Sequence, residues 1–203
     1  MIQYFLERPY LIAIMAAVIL FTLFVCVKAG QASAKRSKVN EAIIKKLKEE
    51  NALRNEFAVL TEKLVETADA TRLFKGVALN LQKKISDADD MIAEFNALNE
   101  EQRDVYALSF VVEDGRNALS DFFRANGQPL TGVSLNAVKK LFDSEVSDVF
   151  EKEYNAFDSD NEEVSMIPDE ISALDKKFAD SVSADEICRV AGSFIKDNIK
   201  YFV

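Results

Sequence analysis

The sequence predicts an all-α protein, and three observations support that prediction. Only 6 of its 203 residues are Gly and only 3 are Pro, so few positions would interrupt a helix. Apolar residues recur at intervals of three and four along most of the chain, which is the period of an amphipathic helix. No segment shows the sustained alternation of apolar and polar residues that is typical of a strand.

The composition excludes several kinds of functional site. Apolar residues make up 49% of the chain and charged residues 29%, so a core can form beneath a strongly charged surface. There is no His, and the two Cys are too few for a disulfide framework. A zinc site and a Ser-His or Cys-His nucleophile are therefore excluded. We expect no catalytic residues, no metal and no cofactor, and hence a protein that is not an enzyme.

The N-terminal region contains an apolar segment between Arg8 and Lys28. Its 19 uncharged residues would span about 28 Å as a helix, close to the thickness of the bilayer hydrocarbon. The sequence predicts a short flank at 1–8 and a single transmembrane helix over 9–28. The alternative is a secretory signal cleaved at Ala32-Ser33-Ala34, but the run is longer than most signal peptides and its cations mainly follow it.

The charge on either side of this segment predicts its orientation. A basic juxtamembrane segment at 29–52 follows the apolar run, and residues 35–54 carry a net charge of +4. By the positive-inside rule the N-terminus would lie outside the cell membrane and the C-terminal part in the cytoplasm. The basic segment would face anionic lipid. Residues 55–203 carry a net charge of −14, which argues against direct binding of nucleic acid.

Residues 53–97 are predicted to be a helical spacer that resembles a coiled coil. Mostly apolar positions recur there at alternating steps of four and three, interrupted by a pair of threonines, and we call this set the seam: Leu53, Phe57, Leu60, Leu64, Thr67, Thr71, Phe74, Ala78, Leu81, Ile85, Ala88, Ile92 and Phe95. One straight helix of this length would reach about 65 Å. The seam could form a parallel homodimer, or it could pack on the C-terminal domain of its own chain.

An acidic helical domain is predicted over 98–203. Asn99 with Gln102 is a capping signature, and Ser134, Asp169 and Ser183 are further candidates for helix starts. Gly115 leaves room for a kink in the first helical stretch, which ends at Gly127.

The order of motifs in this domain is similar to that of a bacterial domain-of-unknown-function family named for a small acidic DNA-mimic protein. The residues that carry the resemblance, and that we expect to be structural, are Val105, Tyr106, Phe122, Phe123, Asn126, Leu174, Asp175 and Phe178. Asn117-Ala118-Leu119 stands where the family has Gly-Gly-Phe, which is a departure from its pattern. The resemblance implies an all-helical domain that binds a basic protein by imitating the charge of DNA.

The charge of this domain is compatible with such an interaction. Residues 141–186 contain 15 Asp and Glu against three Lys, and the candidate partner-binding residues recur on neighbouring helical turns: Asp143, Glu145, Asp148, Glu151 and Glu153. Mimicry would need carboxylates at a phosphate-like spacing. The same pattern is also typical of a solvated acidic face.

The sequence therefore predicts a membrane-anchored, non-enzymatic module for protein interaction or scaffolding. Two alternatives stay open at this point. One is an extracytoplasmic helical domain with a sensory or structural role. The other is an enzyme that uses carboxylates alone, which would need a pocket containing acids whose pKa values are raised by burial.

Overall fold

A computed structural model describes residues 39–157 and 167–203, and within those ranges it contains helices and no strand. The all-α prediction is therefore confirmed for the described chain. The chain divides into two compact units, Met1–Glu49 and Glu50–Val203. The described part of helix α1 covers residues 39–56.

The second unit continues with short helices joined by tight turns. They are α2 (Glu62–Thr67), α3 (Ala70–Ser86), α4 (Met91–Ala97), α5 (Glu100–Asp114), α6 (Leu119–Ala125), α7 (Leu130–Leu141), α8 (Ser144–Ala156), α9 (Pro168–Ser181) and α10 (Ala184–Asp197). A 3₁₀ turn at Ile199–Tyr201 follows α10.

Polar side chains at the first positions explain where most of these helices begin. The residues whose side chains accept a backbone N–H of the first turn are Thr61, Asp69, Asp90, Asn99, Asp143 and Ser183. Asn99 and Gln102 form the predicted capping box, and Ser183 caps α10 as predicted. Ser134 does not cap a helix, because it lies buried inside α7, and Asp143 begins the next helix instead.

The core of the second unit is centred on α3 and α10, which make the most extensive helix pair. Gly192 of α10 allows this close approach, since an added Cβ there would lie 2.9 Å from the Cα of Ala70. The two helices contribute residues that are almost completely buried: Leu73, Phe74, Val77, Ile187, Cys188, Ala191 and Ile195. Helices α5 to α9 extend the same core around a group of aromatic rings.

The predicted architecture of an anchor, a long spacer and a separate domain is wrong. The seam is broken between Phe57 and Leu60 and again before Met91, where the chain turns and starts new helices. Phe57, Phe74, Leu81 and Phe95 are buried in the core of the unit to which the C-terminal helices belong. The physical reason is that several short helices bury these side chains against α5 and α10, which one extended rod could not do.

The membrane-spanning part of that architecture has no support in the structure. Within 39–157 and 167–203, no helix has both the length and the apolar character needed to cross a bilayer. The segment predicted to do so, 9–28, lies outside the described residues, as does the flank at 1–8. The predicted orientation and localisation consequently stay predictions.

Candidate functional site

A buried carboxyl group on α8 is the most unusual chemical feature of the described chain. Glu153 has an exposed fraction of 0%, and neither of its carboxylate oxygens accepts a hydrogen bond. Burying a charge without a partner is costly, so such a group usually becomes neutral. Glu153 therefore needs either a proton or a structural change that hydrates it.

A second carboxylate, Asp175 of α9, faces the same interior region and has partners of its own. It accepts a hydrogen bond from the Ser120 backbone N–H at 2.8 Å and another from the Ser120 hydroxyl at 2.9 Å. These contacts replace a local cap, because Ala118 precedes α6 and has no side chain that could accept from the first turn. Asp175 thus joins the start of α6 to α9.

Arg124 completes the polar cluster, which consists of Ser120, Arg124, Glu153 and Asp175. Its Nη1 donates to the Ser120 hydroxyl at 2.8 Å, and its guanidinium lies 5.2 Å from the ring centre of Phe157. Arg124 makes no hydrogen bond to Glu153, so the cation does not neutralise that carboxyl directly. The polar cluster is held by three helices, α6, α8 and α9.

The surroundings shift the acidity of Glu153 strongly. The pKa of Glu153 is raised to about 9: burial has the largest effect, the negative charge of Asp175 and a hydrogen bond to Asp175 act in the same direction, and Arg124 opposes them. As carboxylates the two groups cannot hydrogen-bond to each other, but a protonated Glu153 has a hydrogen to donate to Asp175. The raised pKa therefore keeps Glu153 protonated near neutral pH.

Aromatic rings surround the buried members of the polar cluster, Glu153 and Ser120, whereas Asp175 is half-buried and the Arg124 side chain is 52% exposed. Phe150 packs 5.1 Å from Phe123 and 6.0 Å from Phe178, measured between ring centres, and Phe122 lies beside Phe123. Ser120 lies in the same interior, since its exposed fraction is 2%. In this conformation no substrate could touch Glu153 unless α8 moved.

The structure separates the five carboxylates that were predicted to form one acidic surface. Asp143 caps α8 by accepting from the Val146 backbone N–H at 3.1 Å, and Glu151 pairs with Lys139 at 2.6 Å. Glu145 and Asp148 are exposed and make no ion pair with a described residue. Glu153 points inward, so it does not belong to that surface.

The residues that carry the family resemblance come together mainly as packing residues. Val105 and Phe122 have exposed fractions of 0%, and Tyr106 packs between the rings of Phe95 and Phe110. Asn126 donates to the Asp114 carboxylate at 2.9 Å, which ties the end of α6 to the end of α5. Leu174, Phe123 and Phe178 pack in the core, and Asp175 alone has the polar role described above.

Sequence reasoning missed Ser120, Arg124 and the burial of Glu153. The periodicity of α8 did contain a signal for the last of these. Glu153 lies three positions after Phe150 and seven after Val146, so it falls on the stripe that faces the core. Nothing in the sequence connects Ser120 with Asp175, which is 55 residues away.

Two further observations complete the description of the site. Among the described residues, no group of three or more Asp, Glu or Cys side chains is arranged to hold a metal ion. The chain matches no protein-family model, no curated protein and no solved structure. Fold and site together define an all-α protein with a buried glutamate beside a half-buried aspartate. The resemblance to the DNA-mimic family stays a prediction.

Proposed function

We propose that the second unit is a non-enzymatic protein-binding module that recognises a basic protein surface through the exposed side of α8. The observation that carries this proposal is the division of charge on that helix. Glu145 and Asp148 are exposed and have no ion-pair partner among the described residues, whereas Val146, Phe150 and Glu153 fix the opposite side of the helix in the core. The exposed carboxylates are thus presented on a rigid support.

Electrostatics favour this role over a simple solvated surface. Carboxylates that already have a cation beside them gain little from a partner, but unpaired ones can form new ion pairs. The net charge of −14 over residues 55–203 would attract a cationic protein from a distance and speed its association. A surface of this kind is expected to bind with strong salt dependence.

The test is a charge reversal on α8, compared with an equal reversal elsewhere on the unit. The test variant is Glu145→Lys with Asp148→Lys. The matched control is Glu62→Lys with Asp89→Lys, since Glu62 also lies in the first turn of a helix and both control residues are exposed and form no ion pair within 39–157 and 167–203. Both double variants change the net charge equally, so a difference in their binding affinity shows the effect of where the charges lie.

The probe is a synthetic peptide rich in lysine and arginine, and binding to the full chain is followed by fluorescence anisotropy at several salt concentrations. We expect the α8 variant to lose affinity by about tenfold or more and the control by less than about threefold. Equal losses in the two variants would mean that only net charge matters, and the proposed surface would then be rejected. Unchanged far-UV circular dichroism must accompany both variants.

A further inference from the structure

Glu153 is a fully buried carboxyl that the proposed binding surface does not use, and it faces a second carboxylate across a helix interface. We propose that Glu153 and Asp175 form a proton-operated latch, in which one shared proton holds α8 against α9 and its loss releases α8. The proposal does not depend on which partner α8 binds.

The geometry places the shared proton on Glu153. Both oxygens of Asp175 already accept from Ser120, one from the backbone N–H and one from the hydroxyl. A carboxylate has about four acceptor sites, so Asp175 can also accept a hydrogen bond from a protonated Glu153. The oxygens of Glu153 have no donor, so the neutral acid is the form that this position accommodates.

The charged groups around Glu153 are few and come from identified helices. Helix α9 contributes Asp175, and α6 contributes Arg124, which also lies 3.7 Å from Asp121. Lys139 of α7 pairs with Glu151, another residue of α8. No described cation therefore makes an ion pair with Glu153 that could replace the proton.

The direction of the pH effect follows from proton counts. The pKa of Glu153 is about 9 in the folded chain and 4.5 for the unperturbed side chain, which is the value expected after release. Between these two values the packed state binds one more proton than the released state, so rising pH favours release. The latch is strongest below pH 4.5, weakens steadily as the pH rises between the two pKa values, and loses the whole contribution of the proton above about 9.

Release of α8 would be a local event with two consequences. The core formed by α3 and α10 contains neither Glu153 nor Asp175, so it can persist while α8 opens. Opening would expose the rings of Phe123 and Phe150 and would move the carboxylates of Glu145 and Asp148. The latch thus couples proton occupancy to the shape of the surface that α8 presents.

Hydrogen exchange of the full chain, measured between pH 7 and pH 9 and corrected for the intrinsic effect of pH, tests the latch. In the wild type we expect the opening equilibrium of α8 amides to rise by up to about tenfold per pH unit. In Glu153→Gln, which mimics the protonated acid, it should change by less than about twofold. Glu145→Gln is the matched control on the same helix and should behave like the wild type.

The amides of α3 and α10 serve as an internal reference, because global unfolding would affect them equally. A wild-type pH dependence that persists unchanged in Glu153→Gln would overturn the proposal. A second measurement avoids substitution altogether, namely a ¹³C titration of the Glu153 carboxyl in the wild type. A midpoint far above the ordinary value of a glutamate is expected, and a midpoint near 4.5 would overturn the proposal even if the variant did not fold.

Discussion

At the residue scale, two buried acids show how different partners decide protonation. Asp104 is buried, and burial raises its pKa, but Lys140 lies 2.9 Å away and opposes that shift. Glu153 has no such cation, and Asp175 adds a second negative charge. A buried carboxyl group is therefore part of an ion pair at Asp104 and carries a proton at Glu153.

A single glycine controls the tightest helix contact. Gly192→Ala would place a Cβ 2.9 Å from the Cα of Ala70, so α10 would have to move away from α3. We expect a loss of about 1–3 kcal/mol or more in the free energy of unfolding, measured by chemical denaturation. Gly127→Ala is the control, because nothing lies within 4 Å of the added methyl group and its stability should change little.

At the element scale, adjacent lysines on α7 have different structural roles. Lys140 Nζ contacts the buried Asp104 carboxylate of α5 at 2.9 Å and the ring of Phe194 of α10 at 5.0 Å. Lys139 pairs with Glu151 of α8, and both of those side chains are more than 40% exposed. One lysine, whose own side chain is 37% exposed, joins three helices at a buried carboxylate, whereas its neighbour forms a surface pair.

This difference can be measured by removing each ammonium group separately. Lys140→Met leaves the Asp104 carboxylate, which is 5% exposed, without its cation, and we expect a loss of about 2 kcal/mol in unfolding free energy. Lys139→Met should cost less than about 1 kcal/mol, since exposed ion pairs contribute little. Equal effects in denaturant titrations of the two variants would contradict this account of α7.

Helix α2 illustrates how a short element is attached to the core. It has only six residues, too few to be stable alone, and Lys196 of α10 reaches its C-terminal end. The ammonium donates to the Glu66 carbonyl at 3.3 Å and to the Ala68 carbonyl at 2.5 Å. A cation beside unsatisfied carbonyls stabilises a helix end, and here it comes from 128 residues further along the chain.

At the scale of the whole molecule, the second unit begins well before the domain boundary that the sequence suggested. It starts at Glu50, and α3 supplies one side of its core. Without α3, the apolar face of α10 with Ile187, Ala191 and Ile195 would be exposed to water. The helices after residue 98 therefore depend on those before it.

Truncation tests this dependence. A fragment of residues 50–203 should unfold in one cooperative transition, monitored by far-UV circular dichroism. A fragment of residues 98–203 should show no cooperative transition and should bind a hydrophobic dye, because its core would lack the apolar residues that α3 contributes. Cooperative unfolding of the shorter fragment would mean that the boundary near 98 is a real domain limit.

The sequence by itself determined the helical class and several helix starts of this protein. Few Gly and Pro, a period near 3.6 and the caps at Asn99 and Ser183 are local properties, and local properties are readable along the chain. The periodicity of α8 also places Glu153 on the side that faces the core, although its charge suggested a surface residue.

Only the tertiary structure decided which apolar helix faces pack together and which carboxyl groups are buried away from water. The spacing of the seam residues is compatible with a coiled coil and with a folded core. The turns near residues 58 and 88 end the helices there, and most of the seam residues pack in the core instead. The contact of Ser120 with Asp175 joins residues 55 positions apart, and the acidity of Glu153 depends on that same region. Burial and charge pairing arise from the packing of several helices together, so no single stretch of sequence contains them.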